Sequence, residues 1–289
     1  MKHDLEIVTY IGSHRFKFYK DLRSQLSDLE TNLINYHYKL NVYDNVDLRK
    51  LLGIGDLNKF YLFTRYGAGA WFWKPKIILD ALALSSAEYL MYLDVDCRLT
   101  KDPLPYLKEH LKLNSIALFN NPQPLMENIS RRAKKSLKLE SKVLAPSTLV
   151  TAGIILVKNS LEAREELTVW SKAMGNPRVL LHPVITFKKG KHLHDQSVLS
   201  ALISMGRVQP RIIQNGFFSK GPETLEKSID KCWVYTGSLG SESEDLPLIT
   251  RIKSIFDNYQ KYLYDFLKTL SIYPIHFLLF VLARFLKKI

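Results

Sequence analysis

Residues 89–107 read YLMYLDVDCRLTKDPLPYL. The run Tyr89–Leu93 is apolar and aromatic enough for a strand buried on both faces, and Asp94, Val95 and Asp96 follow it at once. In open α/β sheets ligands bind beyond the carboxyl ends of the strands, which is where this pair of acids falls. Two carboxylates two residues apart can share one loop and offer hard oxygen donors. Such donors suit Mg2+ or Mn2+ bridging the phosphates of a nucleotide. A bare Asp-x-Asp pair is also common as a solvated turn, and the buried strand in front of it is what sets this one apart.

Upstream, Leu5–Tyr10 (LEIVTY) is a short strand candidate, and residues 16–33 carry helical spacing through Phe18, Leu22, Leu26 and Leu29. A helix is expected over 77–84, with Pro75 suited to its first turn. Downstream, Ile116–Phe119 and Leu149–Val157 are further strands. Alternation of this kind predicts an α/β fold, with a mostly parallel sheet flanked by helices on both faces.

The chain has 289 residues, 46% of them apolar and 24% charged, the make-up of an ordered globular protein of one large or two small domains. Its two cysteines, Cys97 and Cys232, exclude a disulfide framework and an all-cysteine zinc site. The opening MKHDLEIVTY holds no apolar run long enough for a signal peptide, so a cytoplasmic location is expected. A formal charge of +13 calls for an anionic partner: nucleic acid, acidic lipid or a phosphorylated substrate.

That charge is concentrated in two places. Residues 131–142 (RRAKKSLKLESK) carry a net +5 and are expected as a polar loop, either merely solvated or closing as a lid over a phosphate-bearing acceptor. Residues 251–289 also carry +5. There Ile252, Ile255, Phe256, Tyr259, Leu263, Phe266 and Leu267 recur at spacings of three and four, as in an amphipathic helix. The last stretch, Leu270–Ile289, has an apolar core of about 14 residues, short of the roughly 20 a membrane span needs. It is expected to lie in the interface of an anionic membrane, with Arg284, Lys287 and Lys288 at the headgroups, or else to dock on the protein's own core. The polar break Glu242–Pro247 places a boundary near Ser241, giving a catalytic domain at 1–240 and a basic amphipathic helical tail at 241–289.

Residues 92–107, beginning YLDVDC, resemble the metal-binding segment of glycosyltransferases with the Rossmann-like GT-A fold, particularly glycosyltransferase family 8 and its bacterial capsule and lipopolysaccharide relatives. TAGIILVKNS (Thr151–Ser160) is similar to that family's Asn-Ala-Gly strand, and HDQSVLSALI (His194–Ile203) to its Asp-Gln helix start. RYGAGAWFWKPKIIL (Arg65–Leu79) resembles a segment of bacterial polysaccharide glycosyltransferases. The matches come in the family's order and span about residues 5–205.

What the resemblance implies is a metal-dependent hexosyltransferase with a nucleotide-sugar donor, a glycan or glycolipid acceptor and no nucleic-acid partner. Asp96 would ligate Mn2+ or Mg2+, and Asp94 would ligate it or hold the donor ribose. Ala152 and Gly153 would line the donor sugar, Gly153 letting the backbone come close. Asp195 would bind hydroxyls of the transferred sugar, and Gln196 would lie beneath its anomeric carbon. Lys74 would hold a donor phosphate or the sugar. Thr9 and Tyr10 would contact the nucleotide, Tyr10 by stacking on the base.

The chain departs from the family in two places. A late His-Gly metal motif is absent, its nearest counterpart being WVYTGSLG (Trp233–Gly240), and Ser197 stands where a second Asp is common. His182 and His194 are candidates for a further ligand, set against the ordinary role of a lone histidine as a hydrogen-bonded structural residue. Trp71 and Trp73 suit either an apolar wall of the site or the core, and Arg65 either a phosphate contact or the surface. Cys97 is expected to pack, since a thiolate is soft for these cations. Two other classes remain open. A nucleotidyltransferase would also pair carboxylates with a metal, though with a glycine-rich loop that Ile11–Ser13 does not supply. A non-catalytic basic membrane or nucleic-acid binder would account for the charge alone.

Overall fold

The computed structural model describes residues 4–12, 16–52, 71–180, 192–214, 217–218 and 234–236. Arg65, His182 and the tail at 241–289 lie outside the described residues. The chain begins with β1 (Leu5–Tyr10), α1 (Phe16–Ile34), β2 (Lys39–Tyr43) and α2 (Asn45–Leu51). After residue 70 come α3 (Lys74–Leu84), β3 (Tyr89–Leu93), β4 (Cys97–Leu99), α4 (Leu104–His110) and β5 (Ile116–Pro124). Three short helices follow, α5 (Leu125–Asn128), α6 (Arg131–Leu137) and α7 (Ser141–Leu144), then β6 (Thr148–Lys158), α8 (Leu161–Met174) and α9 (Pro177–Leu180). The described part closes with α10 (His194–Ser204), β7 (Arg211–Ile213), β8 (Phe217–Phe218) and β9 (Val234–Thr236).

Six strands form one sheet in the order β2-β1-β3-β6-β5-β7. β1 runs parallel to β2 and β3, β5 runs parallel to β7, and β6 lies antiparallel between β3 and β5. The sheet is therefore mixed and mostly parallel, as the β–α alternation predicts, with one reversed strand that alternation alone does not specify. A three-stranded sheet, β4-β9-β8, stands at the carboxyl end of β3.

Strand periodicity assigns side chains to two cores. Leu5 and Ile7, with Met91, Leu93, Ile154 and Leu156, pack under Leu29 and Leu33 of α1 and Leu107 of α4. Val8 and Tyr10, with Leu90, Tyr92, Ile155 and Val157, pack under Ile77, Ile78 and Ala81 of α3, Leu167 and Trp170 of α8, and Val198 and Leu202 of α10. Each fully buried aliphatic side chain contributes about 1.5–3 kcal/mol by leaving water.

Two local outcomes bear on function. α3 starts at Lys74 rather than 77; Pro75 occupies its first turn, where a missing N–H costs nothing, so Lys74 itself opens the helix. The basic stretch 131–142 is not a loop. Ser130 caps α6 by accepting from Ala133 N at 3.1 Å, Ala133 and Leu137 are buried, and Lys138 ends the helix in the left-handed region at φ 59°. This overturns the lid expectation for that stretch: a capped helix seated on the core replaces it.

Candidate active site

The carboxyl end of β3 delivers Asp94 into the middle of the fold. Its N–H donates to Gly153 O of β6 at 2.7 Å, continuing the antiparallel ladder in which Leu93 faces Ile154. Tyr92, on the same strand face, donates from its hydroxyl to Asp94 Oδ1 at 2.7 Å. Burial, then the Asp94 charge, pushes that hydroxyl's pKa well up, so it remains a donor.

Lys74 ties the site together. Its ammonium meets Asp195 Oδ2 at 2.8 Å, Ala152 O at 3.0 Å and Asp94 Oδ1 at 3.1 Å, and it sits 5.2 Å from the Tyr92 ring centroid. Those partners use all three ammonium hydrogens. Its side chain is 1% exposed, against 10% for Asp195 and 31% for Asp94. Burial alone would lower the ammonium's pKa, but Asp195 and Asp94 outweigh it and hold it above its ordinary value. Burial pushes the Asp195 carboxyl up, with Lys74 opposing. Lys74, for which the resemblance implies a contact with a donor phosphate or the sugar, here fixes two carboxylates from distant segments.

Asp96 lies half-buried just beyond. Its carboxyl is pushed up to about 6 by burial first and by the Asp94 charge second, with its own backbone N–H, Lys74 and Arg98 opposing. Arg98 fastens this loop: its guanidinium donates to Val95 O at 2.9 Å, Cys97 O at 2.7 Å and Gln25 O of α1 at 3.0 Å. Cys97 is buried, donates weakly to Gly153 O at 3.6 Å and keeps its proton, since burial raises its pKa well above the ordinary value. β9 lies antiparallel to β4 with Thr236 opposite Cys97. Residues 234–236 of the late segment lacking a histidine therefore run beside β4, which directly follows the acidic pair.

Ala152 is fully buried and receives Lys74 on its backbone carbonyl. At Gly153 an added Cβ would stand 2.8 Å from Asp94 Oδ2. Because Asp94 is short and held by Lys74 and Tyr92, it has no room to yield. Gly153→Ala is expected to destabilise the fold by about 1–3 kcal/mol through overpacking. On the expectation that Asp94 ligates Mn2+, turning its carboxylate should also weaken that binding by about ten-fold or more. Titration calorimetry with Mn2+, beside a melting curve, checks both, and unchanged affinity would show that Gly153 has a different role.

Asp195 and Gln196 occupy the first turn of α10, Asp195 buried on Lys74 and Gln196 half-exposed. Ser197 donates from Oγ to Asn128 O and accepts from Leu193 N at 2.8 Å, so it braces the helix start. His194, at φ 35°, points Nδ1 to Leu180 O at 3.0 Å, which His192 Nε2 also approaches at 3.2 Å. Among the described residues no three His, Cys, Asp or Glu side chains form a metal-holding group.

The amino-terminal candidates pack into the core. Thr9 is fully buried with its Oγ1 unpartnered, and Tyr10 is 6% exposed. The Tyr10 ring lies 3.9 Å from that of Trp73, itself a core residue, and its hydroxyl donates to Asn45 Oδ1 at 2.6 Å. Gly12 folds over that hydroxyl so closely that a Cβ there would fall 1.9 Å from it. Trp71 is half-buried, its ring 5.9 Å from that of His194.

Sequence reasoning did not single out Tyr92 or Arg98. The i, i+2 spacing of Tyr92 and Asp94 on a buried strand carried a signal for the first. No local signal marks the second, whose partners beyond its own loop lie in α1.

In overall course the chain is similar to glycosyltransferases of known structure, while no family model matches it and no curated protein matches its sequence. One of those structures is a glycosyltransferase involved in the glycosylation of the major capsid of PBCV-1: 13% identity over 83% of this chain and 96% of that one, TM-score 0.44. Mouse xyloside xylosyltransferase 1 gives 11% identity over 82% and 98%, TM-score 0.46. The galactosyltransferase LgtC, in complex with donor and acceptor sugar analogs, gives 14% over 82% and 87%, TM-score 0.42. At these values the likeness carries no residue roles, which rest on the geometry above.

Proposed function

We propose that the chain is a metal-dependent glycosyltransferase that moves a hexose from a nucleotide sugar, UDP-linked, to a lipid-linked surface glycan, in the cytoplasm at the inner face of the membrane. The observation that carries this reading is the Lys74 ammonium joining Asp94 at the end of β3 to Asp195 at the head of α10. It makes one constellation of three segments that resemble glycosyltransferase motifs.

Asp94 and Asp96 offer two carboxylates of the hard kind a divalent cation takes. One ammonium pairs with the carboxylates of Asp94 and Asp195, and Asp96, without a cation of its own in contact among the described residues, resists ionisation beside Asp94. Oxygen donors with excess negative charge suit Mg2+ or Mn2+. Asp94 and Asp96 would hold the ion, which when bound supplies neutralising charge to the departing diphosphate. Lys74 and Tyr92 keep Asp94 turned to that side, and Lys74 keeps Asp195 from swinging out. Within the first turn of α10 the only carboxylate is Asp195, bound to Lys74, and Ser197 is engaged with the backbone. A free carboxylate nucleophile is thus absent from that turn. This favours front-face attack, in which the acceptor hydroxyl bonds the anomeric carbon as its bond to the diphosphate breaks, with the hydroxyl proton passing to a diphosphate oxygen and configuration retained.

A panel of nucleotide sugars incubated with Mn2+ and no acceptor tests this: one donor should slowly release nucleoside diphosphate, and release from none would refute the reading. Gln196→Ala is expected to lower turnover by about a hundred-fold while changing UDP affinity less than about two-fold, as befits an amide at the reacting carbon. Equal losses in rate and UDP binding would place Gln196 elsewhere.

A further inference from the structure

We propose that α6 and the turn after it form a docking face for an anionic lipid bilayer. This goes beyond the glycosyltransferase reading and does not depend on it. At about 100° per residue, Arg131, Arg132 and Lys135 fall within one arc of α6, opposite the buried Ala133 and Leu137. Lys138 and Lys142 extend the exposed basic surface past the helix end. Arg131, Arg132, Lys135 and Lys138 have no ionic partner among the described residues, whereas Lys142 meets Glu140 at 2.8 Å.

The face is built rather than loose. Ser130 caps the helix, Lys134 Nζ donates to Met126 O at 2.8 Å, and Leu139 N returns to Lys134 O at 2.9 Å. Met126, 47% exposed and joined through its carbonyl to Lys134 of α6, adds an exposed apolar side chain to this region. Clustered Lys and Arg next to an exposed apolar group is the make-up of a surface that meets acidic headgroups. Residues 122–147 contain no Phe, Tyr, Trp or His. Proteins that bind single-stranded nucleic acid stack bases on aromatic side chains, so the composition favours lipid.

The same segment braces the candidate site. Ser130 N–H donates to His192 Nδ1 at 3.3 Å, and Asn128 O receives the Ser197 hydroxyl at the head of α10. A bilayer held on α6 would thus bear on the piece of chain that supports the helix of Asp195.

Co-sedimentation of the full-length protein with vesicles of phosphatidylcholine containing about 30% phosphatidylglycerol tests the proposal. The R131Q/R132Q/K135Q/K138Q variant is expected to lose at least about ten-fold in partition coefficient, as is the wild type when salt is raised. Because all four side chains are exposed, its unfolding midpoint should match the wild type; the K135Q/K138Q variant, with a smaller loss, guards against a folding defect. Equal vesicle binding by wild type and quadruple variant would overturn the proposal. So would equal binding to pure phosphatidylcholine, or a loss seen only in the tail variant R284Q/K287Q/K288Q. Displacement of the vesicles by duplex DNA through the same four residues would overturn it in favour of nucleic acid.

Discussion

Replacing Lys74 by Met is expected to cost about 3–5 kcal/mol of stability, because Asp195 would remain buried with no countercharge. That is a large share of the 5–15 kcal/mol typical of a folded domain. The deficit should depend on pH in a defined sense. Burial already raises the Asp195 carboxyl with Lys74 opposing it, so removing Lys74 raises it further. A folded state that holds a proton more tightly than the unfolded chain gains stability as pH falls. Melting curves between about pH 8 and pH 5 should therefore show the variant approaching the wild type at the acid end. The K74M/D195N double variant should recover much of the loss, since the damage is one unpaired charge. Failure of the double variant to recover would mean that Lys74 matters chiefly for packing.

Asp96→Asn is expected to lower turnover by more than about a hundred-fold, since in the proposed metal site it is a direct ligand, whose loss exceeds that of an outer partner, and yet to leave the fold at least as stable. In the native protein the Asp96 carboxyl lies at about 6, raised from 3.8. A raised carboxyl binds its proton more tightly in the folded state, so the wild type loses stability as pH climbs from about 4 through 6. The neutral amide escapes that loss. At pH 7 and above Asp96→Asn should melt at or above the wild-type temperature, with the difference closing in acid. A variant that keeps activity at limiting Mn2+ would remove Asp96 from the metal site, and one that melts lower at neutral pH would reverse the electrostatic reading.

The two acids of the site were legible because their signal is local: a five-residue apolar strand ends, and carboxylates begin. Asp195 stood out through its resemblance segment, but its pairing with Lys74 joins residues no sequence window spans. The same separation hid the packing of Tyr10, whose ring meets Trp73 and whose hydroxyl meets Asn45. In the 131–142 stretch the charge run masked Ala133 and Leu137, two apolar positions four apart that are enough to seat a short helix once Ser130 caps it. β2 went unread because KLNVY mixes polar and apolar residues, as a sheet-edge strand can.

The reversed course of β6 has a consequence for how this protein can change. Ala152 and Gly153 meet Lys74 and Asp94 from the interior of an eleven-residue strand, not from a loop at its end. Surrounding loops can lengthen, shorten or swing without moving those two carbonyls, because the ladders to β3 and β5 hold the strand on either side. Diversification of what the site accepts is thereby pushed outward to the loops, while its floor stays the same in every variant that still folds.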